Sequence, residues 1–263
     1  MIGILLSARV TPEARADEIA SIQFEKSYRG PHQGEFADLL AQVESIVPAA
    51  VAYITGQWNL PNTLHHPLIV TITDLPSKDP YRSIAAYVRA VGYGDGLRQV
   101  LVVDLEHHLL YPNENLDGLI YHEMAHAVIR DAVTNERAAD IPTWFNEGLA
   151  QSVTAEGSMR AQGDYKQWGH TDARAVLCEL TGAVNVYEHG ENNFGCYTQY
   201  YLAVQRLLQL GGKDAIQKII SGLHDGIPLP ELIRQITNLD WAAFQRNIEQ
   251  YSRGIFAGNL PIP

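Results

Sequence analysis

Apolar residues in the first part of the chain fall at two different spacings. Between Pro31 and about Leu60 they recur every three or four positions, with Phe36, Leu39, Leu40, Val43, Ile46 and Val47 on one stripe, which predicts a helix interrupted by Pro48. Leu68 to Thr73 is rich in branched residues, Ala85 to Val91 is a weaker run, and Val100 to Leu105 is a stronger one. Gly92, Gly94 and Gly96 punctuate the last two. These runs predict a small sheet that follows a first helix.

Past Pro112 the period lengthens again. Asn113 and Asn115 are possible caps for a helix from Leu116 to about Asp131, a stretch without internal proline. Pro142 and Thr143 open a second, short helix. Tyr197 to Leu210 predicts a long one ended by Gly211 and Gly212, and the segments Ala215 to Ile220, Pro230 to Ile236 and Trp241 to Tyr251 continue the helical spacing. The chain therefore reads as α+β, strand-bearing in its first half and helical in its second. No linker divides it, so 1–263 is expected to form a single unit. Its strand-bearing part is 1–135 and its helical part 136–263.

Of the 263 residues, 46% are hydrophobic and 19% charged, the balance of a globular protein able to bury its own core. A formal charge of -11 argues against nucleic acid as a partner, because no cationic surface is available to displace counterions from phosphates. The run Ile2 to Leu6 is far shorter than the roughly 20 residues of a membrane helix, and no basic cluster precedes it. Neither a signal peptide nor a transmembrane segment is expected. The default location is the cytoplasm, with a secreted or periplasmic one if the numbering begins at a mature form. Cys178 and Cys196 are expected to be two buried thiols; a bridge between them would imply an oxidising compartment. The pattern gives no oligomeric state.

The residues with the most chemical content are His122-Glu123-Met124-Ala125-His126. On a helix, positions four apart lie one turn apart on the same face, so both imidazoles can reach one metal ion. Glu123, roughly 100° round, can reach a metal-held water instead, the position of a general base. A catalytic zinc needs a third protein ligand and keeps a further position for water. Asp131, Glu136, Asp140 and Glu147 are the carboxylates within reach along the chain.

Together with Pro142-x-Trp144-x-Asn146-Glu147-Gly148-x-Ala150, this motif resembles the gluzincins, the thermolysin-like zinc metallopeptidases of the peptidase MA-like superfamily. The resemblance extends more loosely over residues about 67 to 250. It implies a zincin-like fold in which the first helix and a small mixed sheet pack on the His-Glu-x-x-His helix. It also implies zinc ligands at His122, His126 and Glu147, catalysis by Glu123, and hydrolysis of peptide or protein substrates. The related branch with a third histidine does not fit, since positions 129 and 132 are Ile and Ala. By the same analogy, Ala85 to Val91 is the sheet edge that aligns an extended substrate. A tyrosine near the start of a later helix often stabilises the oxyanion in this family; Tyr197 is the first candidate, with Tyr200 and Tyr201 as alternates.

Two features depart from the family pattern. Gln151 stands where an acidic residue would give firmer support to a zinc-bound histidine, although its amide can still hydrogen-bond. The chain has no Gly-x-Met-Glu-Asn run of the kind that binds a free amine in gluzincin aminopeptidases, so an endopeptidase is expected. The alternative is a non-catalytic zinc-binding module that holds a partner peptide. His107 and His108 are expected at the surface or in caps, Asn146 on nearby backbone, and His170 and His189 are weaker candidates for a transition-state histidine.

Overall fold

The computed structural model describes residues 22–75, 85–92, 97–134, 141–154, 157–159 and 194–263. A strand β1 (Ile22–Phe24) leads into helix α1 (Gln33–Gln57), followed by β2 (Leu68–Thr73), β3 (Ala86–Val91) and β4 (Arg98–Asp104). The sheet order is β1-β2-β4-β3. β1, β2 and β4 run parallel, and β3 is an antiparallel edge strand. The helix that was expected to come first is therefore preceded by a strand. Three residues are too few to show a period of two, and β1 is held by its pairing with β2, where Ile22 lies beside Leu68.

Pro48 does not interrupt α1, contrary to expectation. An interior proline costs about 3 kcal/mol. Beyond it, however, Ala50, Val51 and Ile54 continue the buried stripe with no exposed surface, and burying each branched side chain is worth about 1.5–3 kcal/mol. Continuing the helix is the cheaper outcome. By length and apolar composition alone α1 could cross a membrane, yet its buried face belongs to the protein core. There it packs with Leu68, Val70 and Ile72 of β2 and Leu101 and Val103 of β4.

After β4 the chain turns into a short helix α2 (Leu105–Leu110), which the pattern did not predict. Asp104 caps it by accepting from the Glu106 N–H at 3.1 Å. His107 then reaches Glu114 at 3.1 Å and lies against the Tyr111 ring, away from the candidate chemistry. α3 (Leu116–Val133) starts at Asn115, whose side chain accepts from Gly118 N–H; of the two asparagines, this is the cap. From Glu123 to Ile129 every residue of α3 is buried, as expected of a helix enclosed on all sides. The helical half follows as α4 (Thr143–Ser152), α5 (Phe194–Gly211), α6 (Ala215–His224), α7 (Leu229–Thr237) and α8 (Trp241–Phe256). Cys196 on α5 is disulfide-bonded rather than a free thiol; the chain's other cysteine, Cys178, lies outside the described residues.

The C-terminal end of α3 is pinned by one carboxylate. Asp131, 4% exposed, accepts from the backbone N–H groups of His65 and His66 at 2.7 and 2.9 Å and faces both of their Nδ1 atoms at 3.0 and 2.9 Å. These contacts fasten the connection between α1 and β2 to the helix that carries the histidine motif. They also occupy Asp131 fully, which removes it as a rival metal ligand; Glu136 and Asp140 lie outside the described residues. We expect Asp131→Ala to cost roughly 2–4 kcal/mol in urea unfolding, because it leaves two backbone donors without their acceptor. Asp131→Asn, which keeps an acceptor, should cost less.

Candidate metal centre

α3 and α4 bring three side chains to one point. The Nε2 atoms of His122 and His126 are 3.2 Å apart, and Oε2 of Glu147 lies 3.5 Å from the first and 3.6 Å from the second. Bonds of 2.0–2.2 Å to a tetrahedral zinc place two ligand atoms about 3.3–3.6 Å from each other. The observed triangle has that size. Oε2 of Glu147 is moreover buried with no hydrogen-bond partner, an expensive condition for a carboxylate oxygen unless a cation is its partner. The donor set, two imidazoles and one carboxylate, suits zinc and can hold it.

Each histidine is oriented from behind. His126 donates from Nδ1 to Oδ1 of Asn146 at 3.0 Å, which leaves the Nε2 lone pair facing the triangle. Asn146 therefore supports a histidine ring instead of bonding backbone as expected. Nδ1 of His122 lies 3.3 Å from the side-chain amide of Gln151, whose Oε1 is buried without a partner. Turning that amide by 180° lets Oε1 accept from Nδ1–H, satisfying both groups and again freeing Nε2. The neutral residue at 151 thus occupies the supporting position that an acid would otherwise fill.

The approach of α4 depends on a glycine. A Cβ at Gly148 would stand 2.3 Å from the Tyr200 carbonyl oxygen and 2.7 Å from Val204, so α5 lies this close to α4 because the residue here is glycine. Glu147 is the adjacent position. On the other side, Trp144 is buried and packs its ring with those of Phe145, Trp241 and Phe244, fixing α4 to α8.

Glu123 is also buried, in a different relation to the triangle. Its carboxylate lies within 4.8 Å of both imidazoles, and its Oε2 accepts from Val88 N–H at 3.0 Å. Burial pushes its carboxyl up to about 7, against the pull of His126 and the Val88 bond. Burial acts on Glu147 in the same sense, but His126 and His122 beside it win, and its carboxyl is held below the usual range. The two carboxylates are thus differentiated by environment, one basic enough to carry a proton near neutrality and one kept ionised.

Among the tyrosines, Tyr201 donates to the Pro263 carbonyl at 3.0 Å. Tyr200 is 1% exposed, and its phenol is raised by burial and by the charge of Glu147. Tyr197 is partly exposed near the start of α5. His170 and His189 lie outside the described residues. The residue that the sequence pattern missed is Val88, which acts through a backbone N–H that no side-chain motif can signal.

Replacing Asn146 by Ala should weaken zinc binding by about 10–100-fold in competition against a chromophoric chelator, with the fold retained. Gly148→Ala should lower the melting temperature and the zinc affinity together, because α4 and α5 must separate to admit the methyl group.

No curated protein and no solved structure matches this chain. The family model of the Peptidase MA superfamily matches residues 113–253, a span that runs from before α3 into the last turn of α8 and includes both histidines and Glu147. With that match and the histidine and glutamate cluster, the activity is that of a zinc-dependent metallopeptidase acting on peptide or protein substrates. The chain belongs to the Peptidase MA superfamily.

Proposed function

We propose that this protein is an endopeptidase in which His122, His126 and Glu147 hold zinc, Glu123 is the general base and Tyr197 assists at the oxyanion. The observation that carries the ligand assignment is the near-equilateral triangle of two Nε2 atoms and one buried, otherwise unpartnered carboxylate oxygen. Bound zinc supplies a Lewis acid that brings a water's pKa toward 7 and polarises the scissile carbonyl.

The remaining steps belong to the chain. With Oε2 of Glu123 engaged by Val88 N–H, Oε1 is the atom free to take a proton from the attacking water. Glu123 then delivers that proton to the leaving amine nitrogen, a transfer suited to a carboxyl raised toward neutrality. Tyr197 donates its phenolic hydrogen to the developing oxyanion. Of the three candidate tyrosines it is favoured because it is partly exposed near the start of α5, whereas Tyr200 and Tyr201 are buried.

Substrate alignment falls to β3. Ala85 O accepts from Asp104 N–H at 2.9 Å, so Ala85, Tyr87 and Arg89 bond β4 while Ala86, Val88 and Ala90 turn their N–H and C=O groups to the outer edge, where the Val88 N–H is taken by Glu123 and its C=O is left to pair. An extended peptide can add there as a further strand beside the histidines. Such an edge grips main chain wherever it lies in a substrate, in keeping with cleavage of internal bonds. The disulfide at Cys196 favours an oxidising compartment over the cytoplasm.

Glu123→Gln should keep one zinc per chain by mass spectrometry yet lose nearly all cleavage of a mixed peptide library, whereas His126→Ala should lose both. Retained turnover in the Gln variant would exclude the base assignment. Tyr197→Phe is expected to lower kcat by about 10²–10³-fold with little change in KM, the pattern of a group that acts on the transition state alone.

A further inference from the structure

α3 carries a charged side chain that the reaction above does not use. Arg130 is seven residues beyond Glu123, within roughly 20° of it around the helix and roughly 10 Å along the axis. On that face it lies between the directions of Glu123 and His126. Its Nη1 is buried without a hydrogen-bond partner, and among the described residues the guanidinium makes no hydrogen bond and no ion pair. The residue as a whole is half-buried, and a guanidinium nitrogen withdrawn from water without a partner is unfavourable, so this edge of Arg130 is open to a partner from outside the chain. The charge that it senses is that of Glu123.

The surroundings place Arg130 along the substrate path. Gln99, 1% exposed, donates from Nε2 to the Ala127 carbonyl on α3 at 3.0 Å, and Gln99 lies opposite Ala90 in the sheet. Side chains directly opposite in a sheet share a face, so Ala90 faces α3 as Gln99 does. Yet Ala90 is exposed, whereas Gln99 is buried. The space between the end of β3 and α3 is therefore open at its outer edge. Glu123 meets β3 at Val88 and Ala127 lies by Ala90's partner, so α3 and β3 advance in the same direction and Arg130 comes next along the same cleft.

We propose that Arg130 is the specificity residue of this cleft and binds a carboxylate of the substrate. Long helical side chains lean toward the helix N-terminus, which brings the guanidinium back toward Glu123. At about 3.3 Å per residue of extended peptide, the recognised group lies within about two residues of the scissile bond. The ligand is a planar carboxylate, which the guanidinium fork can take with two parallel hydrogen bonds. It comes from an Asp or Glu side chain or from a free C-terminus. This assignment rests on the reading of Glu123 and the histidine triangle as the peptidase site.

The test uses zinc-loaded full-length protein and peptide pairs that differ only in Glu against Gln at each position up to three residues on either side of the cleaved bond. A further pair differs in a C-terminal acid against an amide. Wild type should favour the acidic member of one pair by tenfold or more in kcat/KM. The ratio should fall to within about threefold in Arg130→Met and be partly recovered in Arg130→Lys. A Glu/Gln preference identifies a side chain as the source, and an acid/amide preference identifies the chain terminus. A ratio near one in wild type for every pair, or a preference that survives in Arg130→Met, overturns the proposal.

Two readouts do not need turnover. Binding of the same pairs to the Glu123→Gln protein, followed by fluorescence anisotropy, should show the same preference and its loss on adding Arg130→Met. Acid-selective binding without cleavage in wild type would uphold Arg130 while refuting the peptidase reading. The melting temperature of Arg130→Met without peptide should equal or exceed that of wild type, since a half-buried charge with an unsatisfied Nη1 is removed. A fall of several degrees would assign Arg130 to holding the fold and overturn the proposal.

Discussion

Two imidazole nitrogens and a carboxylate oxygen that crowd within 3.6 Å of one another in a buried place have nothing to offer each other except competition for protons. Their lone pairs converge on one point, and the arrangement is favourable when a cation stands there. The rest of the structure is organised around sustaining that convergence. α3 is buried from Glu123 to Ile129, Gly148 lets α4 lie against α5 with Glu147 in range, and the rings around Trp144 hold α4 from behind. Asn115 caps the beginning of α3, and Asp131 ties its far end to the connection between α1 and β2.

The division of labour between the two glutamates follows from burial and neighbours, not from residue type. Glu147 is held ionised by the two imidazoles beside it, whereas at Glu123 burial, helped by the charge of Glu147, outweighs the pull of His126 and of a backbone N–H and raises the carboxyl. The residues behind the histidines, Asn146 and Gln151, are both neutral amides. They fix the rings without adding negative charge, which leaves the triangle with one formal anion at Glu147.

Much of this was legible in the sequence because it is local. The three later strands, the histidine helix, its cap and the short helix with Glu147 all announce themselves through spacing, branched residues and turn formers. What escaped depends on partners distant in the chain. β1 exists because β2 offers it an edge, and α1 passes Pro48 because the core receives Ala50, Val51 and Ile54 on the far side. Asn146 was expected on backbone because nothing in its neighbours says that His126 will lie 3.0 Å away. Cys196 was expected as a thiol because two cysteines are too few to show a pattern. Val88 takes part through a group that every residue but proline possesses.

The bond from Val88 N–H to Glu123 ties the rim of the sheet to the reactive carboxylate. Outward-facing groups recur on β3 only at alternate residues, so a peptide added along this rim would have no continuous sliding motion. It would move by two residues at a time, because a shift by one turns every side chain to the opposite face. The rim would then act as a ruler with coarse divisions, offering to Glu123 either the odd or the even set of the peptide's bonds.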